Sequence, residues 1–250
     1  MAAAAASTPE PRRLDGRESN QMRPPQIELR PLLRADGSAR FKLGKTAAVA
    51  AVYGPREPKS RAKEVFDRAT LDVIVRPRVG VPGPAERQLE GHLLRQLDHI
   101  VMHQEYPRTQ ITVIIQITST DGSIGAVAGN AAFLALLDAG VAMRATALSV
   151  AIGVHFGDAR MDDGSPESED APVLLLDPTE LEEKDCDAVV TVSVDSSREQ
   201  LISSLSAGAA LDAVAWVSCI EAGGKACKVL ESFLRMSLQK RLEAFLKPPQ

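Results

Sequence analysis

Apolar and polar positions change their spacing several times along the chain, and each change marks an element. Residues 85–103, AERQLEGHLLRQLDHIVMH, repeat apolar side chains every three or four positions. Leu89, Leu93, Leu94, Leu97, Ile100 and Val101 thereby share one face, which predicts an amphipathic helix. Elsewhere the apolar residues run together. KTAAVAAVYG from Lys45, closed by Gly-Pro, suits a buried strand ending in a turn, and TLDVIVRPR at 70–78 suits a second strand. QITVIIQIT at 110–118 is β-branched and one strand long, and GNAAFLALLDAG at 129–140 reads as a largely buried helix closed by Gly140. Further strands are predicted at about 145–153, 173–176 and 187–194. AALDAVAWVSCIEAG and KACKVLESFLRMSLQKRLEAFL read as two helices split by Gly223 and Gly224, the second ending before Pro248-Pro249. Strands early and helices late predict an α+β chain with helices packed on sheets.

Residues 1–20 are Ala, Pro, Arg and polar residues without periodicity, so they are expected to form a disordered tail. Residues 21–247 then form one domain, with 157–171, GDARMDDGSPESEDA, as an acidic flexible insert. A 250-residue chain with 44% hydrophobic residues can bury a large core without staples. Three cysteines, Cys186, Cys219 and Cys227, are an odd number without metal-type spacing, which points to a reducing compartment. The opening MAAAAASTPEPRR has no apolar core of signal-peptide length, and no later stretch reaches about 18 uncharged apolar residues, so secretion and membrane spanning are not expected. The net charge of −4 is uneven: residues 1–110 carry 19 Lys+Arg against 13 Asp+Glu, a balance of +6, and residues 111–250 carry 10 against 20, a balance of −10. A basic half attracts polyanions and an acidic half suits Mg²⁺ or a basic partner; the same charges also suit plain solvated surface.

Three features can carry chemistry. Asp121-Gly122-Ser123-Ile124-Gly125 stands between a strand and a helix, where free backbone N–H groups and the helix dipole favour an anion such as phosphate, although no Lys or Arg lies in the loop. A plain connector reads the same way. Asp177 follows an apolar strand and is trailed by Glu180, Glu182, Glu183, Asp185 and Asp187. Such carboxylates can hold Mg²⁺ or act as general acids, or they can simply solvate a loop. Arg76, Arg78, Arg87, Arg95 and Arg108 cluster around one strand and the next helix, forming either a phosphate-tracking groove or a solvated face. Aromatics at 4% argue against binding by successive base stacking. His99 and His103, one helical turn apart, lack a third zinc ligand, and no GxSxG elbow joins Ser, His and Asp into a triad.

Several phrases together resemble the ribonuclease PH family: DGRESNQMRP at 15–24, ADGSARFKLGKTAAVAAVYGP at 35–55, YPRTQITVIIQI followed by DGSIGAVAGNAAFLALLDAGVAMR, and LDPTELEE. Their order and spacing cover about residues 15–240. The chain is most similar in pattern to the ribonuclease-PH-like subunits of the eukaryotic exosome ring. This resemblance implies one compact domain of two βαβ-like halves, helices packed on mixed sheets, and ring assembly through pairs of related subunits.

In active family members the anion loop reads Asp-Gly-Gly-Thr-Arg, so Gly122, Ser123 and Gly125 fall on phosphate-binding positions, with Ile124 for Thr and Gly125 for Arg. Losing a charge-assisted Arg contact removes about 1.5–3 kcal/mol of binding and slows turnover roughly tenfold to a hundredfold. The family's metal and acid carboxylates map onto Asp177 and Glu183. The resemblance thus implies 3′-to-5′ processing of single-stranded RNA, with residual phosphorolysis that uses Mg²⁺ and inorganic phosphate. Hydrolysis, including of DNA, is a variant if no residue reads the 2′-OH. The other implied role is an inactive ring subunit that guides RNA along Arg76, Arg78, Arg87 and Arg95. Other ring subunits are the implied partners and a homodimer is also open, with residence in the nucleus, nucleolus and cytoplasm.

Overall fold

The computed structural model describes Arg13 and residues 15–58, 60, 64–156, 172–195 and 197–246. Five strands, β1 (Pro25–Leu29), β2 (Gly37–Leu43), β3 (Thr46–Arg56), β4 (Thr70–Arg76) and β5 (Gln110–Ser119), form one sheet in the order β1-β2-β3-β5-β4. Four more, β6 (Ala147–His155), β7 (Val173–Leu176), β8 (Ala188–Asp195) and β9 (Gln200–Gly208), form a second in the order β7-β6-β8-β9. The helices are α1 (Pro84–Ile100), α2 (Ile124–Ala139), α3 (Glu180–Asp185) and α4 (Ala213–Leu246). The expected α+β architecture is therefore present. The first sheet is mixed, because β4 runs parallel to β5 and needs α1 as its crossover, whereas the second is antiparallel throughout.

Alternation along β5 buries Ile111, Val113, Ile115 and Ile117. The central helix α2 is buried from Ala126 to Leu136, and its alanines and glycines let it lie between β2 and β3 on one side and β6 on the other. Helix α1 packs on β4 and reaches β9, burying Leu93, Leu97 and Ile100. Helix α4 covers the other face of the second sheet. Among the described residues no helix is long and apolar enough to cross a membrane, and all three cysteines are free.

Several boundaries differ from those expected. The predicted helix at 129–140 begins at Ile124, so the anion loop is shorter and Gly125 lies in the first helical turn. The helix predicted over 85–103 ends at Ile100, where Val101 turns extended and bridges Met143. The two C-terminal helices are one. Gly223 does not break it because it lies flat on β8: a Cβ there would stand 3.2 Å from Val192 Cβ. That packing outweighs a helix cost of about 1 kcal/mol per glycine. Strands β1, β2 and β9 were not predicted; β9, QLISSLSAG, is too polar and too exposed to show a clear alternation. Part of the segment expected as a tail, Arg13 and residues 15–20, lies among the described residues. Arg13 is 7% exposed and held in a buried ion pair with Glu182. The rest of that tail, residues 1–12 and 14, and the acidic insert 157–171 lie outside the described residues.

Candidate functional site

The two halves meet where the β5–α2 loop touches the β7–α3 corner. Gly122, at φ +77°, lets the loop lie directly on the backbone of Pro178, Thr179 and Glu180, and a Cβ at this position would overlap them. Thr46, opening β3, fixes the loop from below: its hydroxyl donates to Gly122 O (2.8 Å) and accepts from Asp121 N (3.0 Å). On the other side Thr179 caps α3, and Glu182 returns the bond to Thr179 N at 2.8 Å.

Behind this contact lies a buried charge network. Asp177, 1% exposed and left-handed at φ +52°, is held by Arg23. Arg23 Nε and Nη2 donate to Asp177 Oδ2 and Oδ1 at 2.7 and 2.6 Å, and the Arg23 backbone N–H adds a third bond of 3.0 Å. The same guanidinium reaches forward to Asp121 O at 2.7 Å, so one side chain ties the acidic corner to the anion loop. Arg13 pairs in the same way with Glu182, at 2.9 and 3.0 Å, and also donates to Asp177 O. Burial pulls the Glu182 carboxyl upward, but the bonds from Arg13 and Thr179 outweigh it and bring it down to about 2.

Glu183 faces the other way. Its Oε1 accepts the N–H of Ser123 at 2.5 Å, while the Ser123 hydroxyl donates to Pro178 O at 3.0 Å. Ser123 is the left-handed N-cap of α2, so the anion seated at this helix N-terminus is the protein's own carboxylate. Burial nevertheless holds the Glu183 carboxyl above its ordinary value, with the Ser123 bond and the charge of Arg23 working against that rise. Beside it opens a cleft of about 450 Å³ lined by Ser123, Ile124, Gly125, Glu183, Lys184 and Thr191 among others.

Of the carboxylates expected to hold Mg²⁺, Asp177 is already committed within the protein. Both oxygens of Asp177 are taken by Arg23, and among the described residues no group of three or more His, Cys, Asp or Glu is arranged to hold a metal ion. Of the two candidate carboxylates these residues leave Glu183 toward the cleft, and Mg²⁺ commonly needs only one or two carboxylates beside water and substrate phosphate. What they supply is a carboxyl of raised proton affinity at the rim of a cleft and a rigid, charge-clamped wall behind it.

This geometry can be set beside known proteins. The profile described as "3' exoribonuclease family, domain 1" matches residues 21–142, and that of domain 2 matches residues 163–226. The rice "Exosome complex exonuclease RRP46 homolog" is 34% identical over 245 residues, 92% of this chain and 96% of the relative. The chain belongs to the 3′ exoribonuclease family. The "Exosome complex component Rrp41" of Pyrobaculum neutrophilum is 40% identical over 159 residues, 60% of this chain and 65% of that one. The crystal structure of rice Rrp46 superposes with a TM-score of 0.80 at 34% identity, covering 91% of this chain and all of that one. The Archaeoglobus fulgidus exosome with RNA bound to the active site gives 0.73 at 20% identity, covering 89% and 92%, a likeness of fold.

Within this 3′ exoribonuclease fold, the residues singled out by sequence separate into two groups. Ser123, Gly125 and Glu183 come together at the cleft, with Gly122 packed on the Pro178–Glu180 backbone beside it and Asp177 buried behind. Arg76, Arg78, Arg87 and Arg95 are all exposed and none lines that cleft. Arg76 and Arg78 border a separate depression of about 440 Å³, and Arg87 and Arg95 lie on the outer face of α1. Helix α1 does adjoin the loop, since a Cβ on Gly125 would stand 3.7 Å from Leu89 Cδ1. Sequence reasoning missed Arg13, Arg23 and Thr46 as members of the site. Arg23 sits in NQMRP and Thr46 in GKT, so both motifs were visible as phrases, but their roles emerge only when distant segments meet.

Proposed function

We propose that the chain is a ring subunit of an RNA exosome and acts in 3′-to-5′ RNA processing chiefly by joining neighbouring ring subunits and guiding single-stranded RNA. The relatives named for the exosome, one of them matched over 92% of this chain, support that setting. One observation carries the division of labour: the N–H and O–H of Ser123 are already spent on Glu183 and Pro178, with Ile124 and Gly125 supplying no cation in their place. An incoming phosphate has to displace a carboxylate from α2 without an arginine to reward it, which makes phosphorolysis weak. RNA contact then falls to exposed arginines, among them Arg87 and Arg95 on α1 and Arg76 and Arg78 beside it.

The raised proton affinity of Glu183 favours a residual reaction as a second reading. In it, inorganic phosphate attacks the 3′-terminal phosphodiester, Glu183 gives a proton to the leaving oxygen, and a nucleoside diphosphate is released. The test incubates the purified chain with end-labelled single-stranded RNA, with and without phosphate, beside the double variant Ile124→Thr/Gly125→Arg. Little product from the natural chain, and a phosphate-dependent gain of at least about tenfold in the variant, is the expected result. Vigorous release of nucleoside diphosphates by the natural chain, abolished in Glu183→Gln, would replace the guiding role with a catalytic one.

A further inference from the structure

Three serines stand in register across the second sheet. Ser149 of β6 pairs with Ser193 of β8, and Ser193 pairs with Ser203 of β9, so all three project to one face. That face meets α1 and α2. One end of the row is closed: Ser149 Oγ lies 2.8 Å from Ser193 Oγ, and Gln96 Nε2 of α1 donates to Ser149 Oγ at 3.0 Å. Gly129 of α2 leaves the room for this, since a Cβ there would stand 2.9 Å from Ser149 Oγ and 3.2 Å from Gln96 Oε1.

The other end is not closed by protein. His92 Nε2, Gln96 Oε1 and Ser203 Oγ are buried and without a hydrogen-bond partner, three of the four such atoms among the described residues. His92 is 1% exposed and Gln96 0%. His92 and Gln96 are one helical turn apart on α1, which packs on β9 and β6, and β9 carries Ser203 in register with Ser193. Turning the Gln96 amide over does not cure the deficit; it exchanges an unpaired acceptor for an unpaired donor. Native interiors rarely leave such atoms bare.

We propose that the joint between α1 and the second sheet is a built hydration site, in which internal water bonds His92 Nε2, Gln96 Oε1 and Ser203 Oγ. The three atoms identify the ligand class. A carbonyl oxygen requires a donor, a hydroxyl and an imidazole nitrogen take either role, and none carries a formal charge, so the occupant is small, neutral and both donor and acceptor. His92 fits this, since burial first and the charge of Arg95 second hold it below its ordinary value and keep it neutral at pH 7. The polar row continues along β8 from Ser193 to Thr191, whose Oγ1 lies 3.2 Å from where a Gly125 Cβ would be. The hydrated joint therefore begins about one turn of α2 from the cleft, and it sets how α1 sits beside the anion loop.

A crystal structure of the full chain at about 1.8 Å or better tests this directly. The expected result is solvent density within about 2.7–3.2 Å of at least two of the three atoms, joined in solution by water cross-relaxation to the Gln96 side-chain amide. Ser203→Ala should shift or remove that density while the Ser149–Ser193 contact stays. A dry joint in the natural chain, with the three atoms turned onto protein groups, overturns the proposal, as does density that touches only one of them.

Discussion

Asp177 and Glu183 stand six residues apart at the two ends of one short corner, yet the fold treats them as opposites. Asp177 is sealed in, with both oxygens and its own backbone held by arginines. Glu183 looks outward over a cleft, takes a single backbone N–H, and is held above its ordinary proton affinity by burial. A carboxylate shared by two strong donors is a structural tie, whereas one balanced between burial and a single bond remains chemically available. Spacing in the sequence conveys that both are acids; it says nothing about which one is already spent.

The contrast can be broken most forcefully at the tie. Asp177→Ala or Arg23→Met strands the opposite buried charge and should cost about 3–5 kcal/mol. For a domain of this size that lowers the melting midpoint by roughly 6–20 °C, read by thermal unfolding. Replacing both together, Asp177→Leu with Arg23→Met, should cost less than either alone. A melt of Asp177→Ala close to that of the natural chain would remove the distinction between the two carboxylates.

Acid should act next. Glu182 is depressed to about 2, so its contribution is complete above the unfolded value near 4.5 and is lost as pH falls from there toward 2. Allowing for partial screening by solvent, roughly 2–3 kcal/mol should disappear over that window, measured as urea midpoints. Glu183 has the reverse sign: its raised carboxyl costs stability at neutral pH and relieves that cost as it protonates. Glu183→Gln keeps the acceptor for Ser123 N–H and should therefore change stability by less than about 1 kcal/mol, again by urea unfolding. The smallest effect belongs to the outer face of α1. Arg95→Gln should leave stability unchanged and lower the salt-dependence slope of single-stranded RNA binding by about 0.7, seen by titration at several salt concentrations.

Elements with strong periodicity were legible from the sequence: α1 from its leucine spacing, β5 from its β-branched run, α2 from its apolar stretch. Those that depend on partners were not. β9 is a polar edge strand that exists because β8 offers it a ladder, and α4 runs through two glycines because Val192 packs against one of them. The site followed the same rule. Ser123, Gly122 and Glu183 could be read from local motifs, but Arg23 binds an aspartate 154 residues away and Arg13 a glutamate 169 residues away. No local pattern encodes such a pairing.

Helix α4 has a mechanical meaning beyond its role as a cover. Its 34 residues extend for about 50 Å at 1.5 Å per residue. It begins by leaning on the second sheet, and near its far end Arg241 Nη1 donates to Leu29 O of β1, at the edge of the first sheet, at 2.8 Å. One helix thus ties the second sheet to the edge strand of the first. Any change of angle between the two sheets therefore has to be accommodated along this helix or at the Arg241–Leu29 bond.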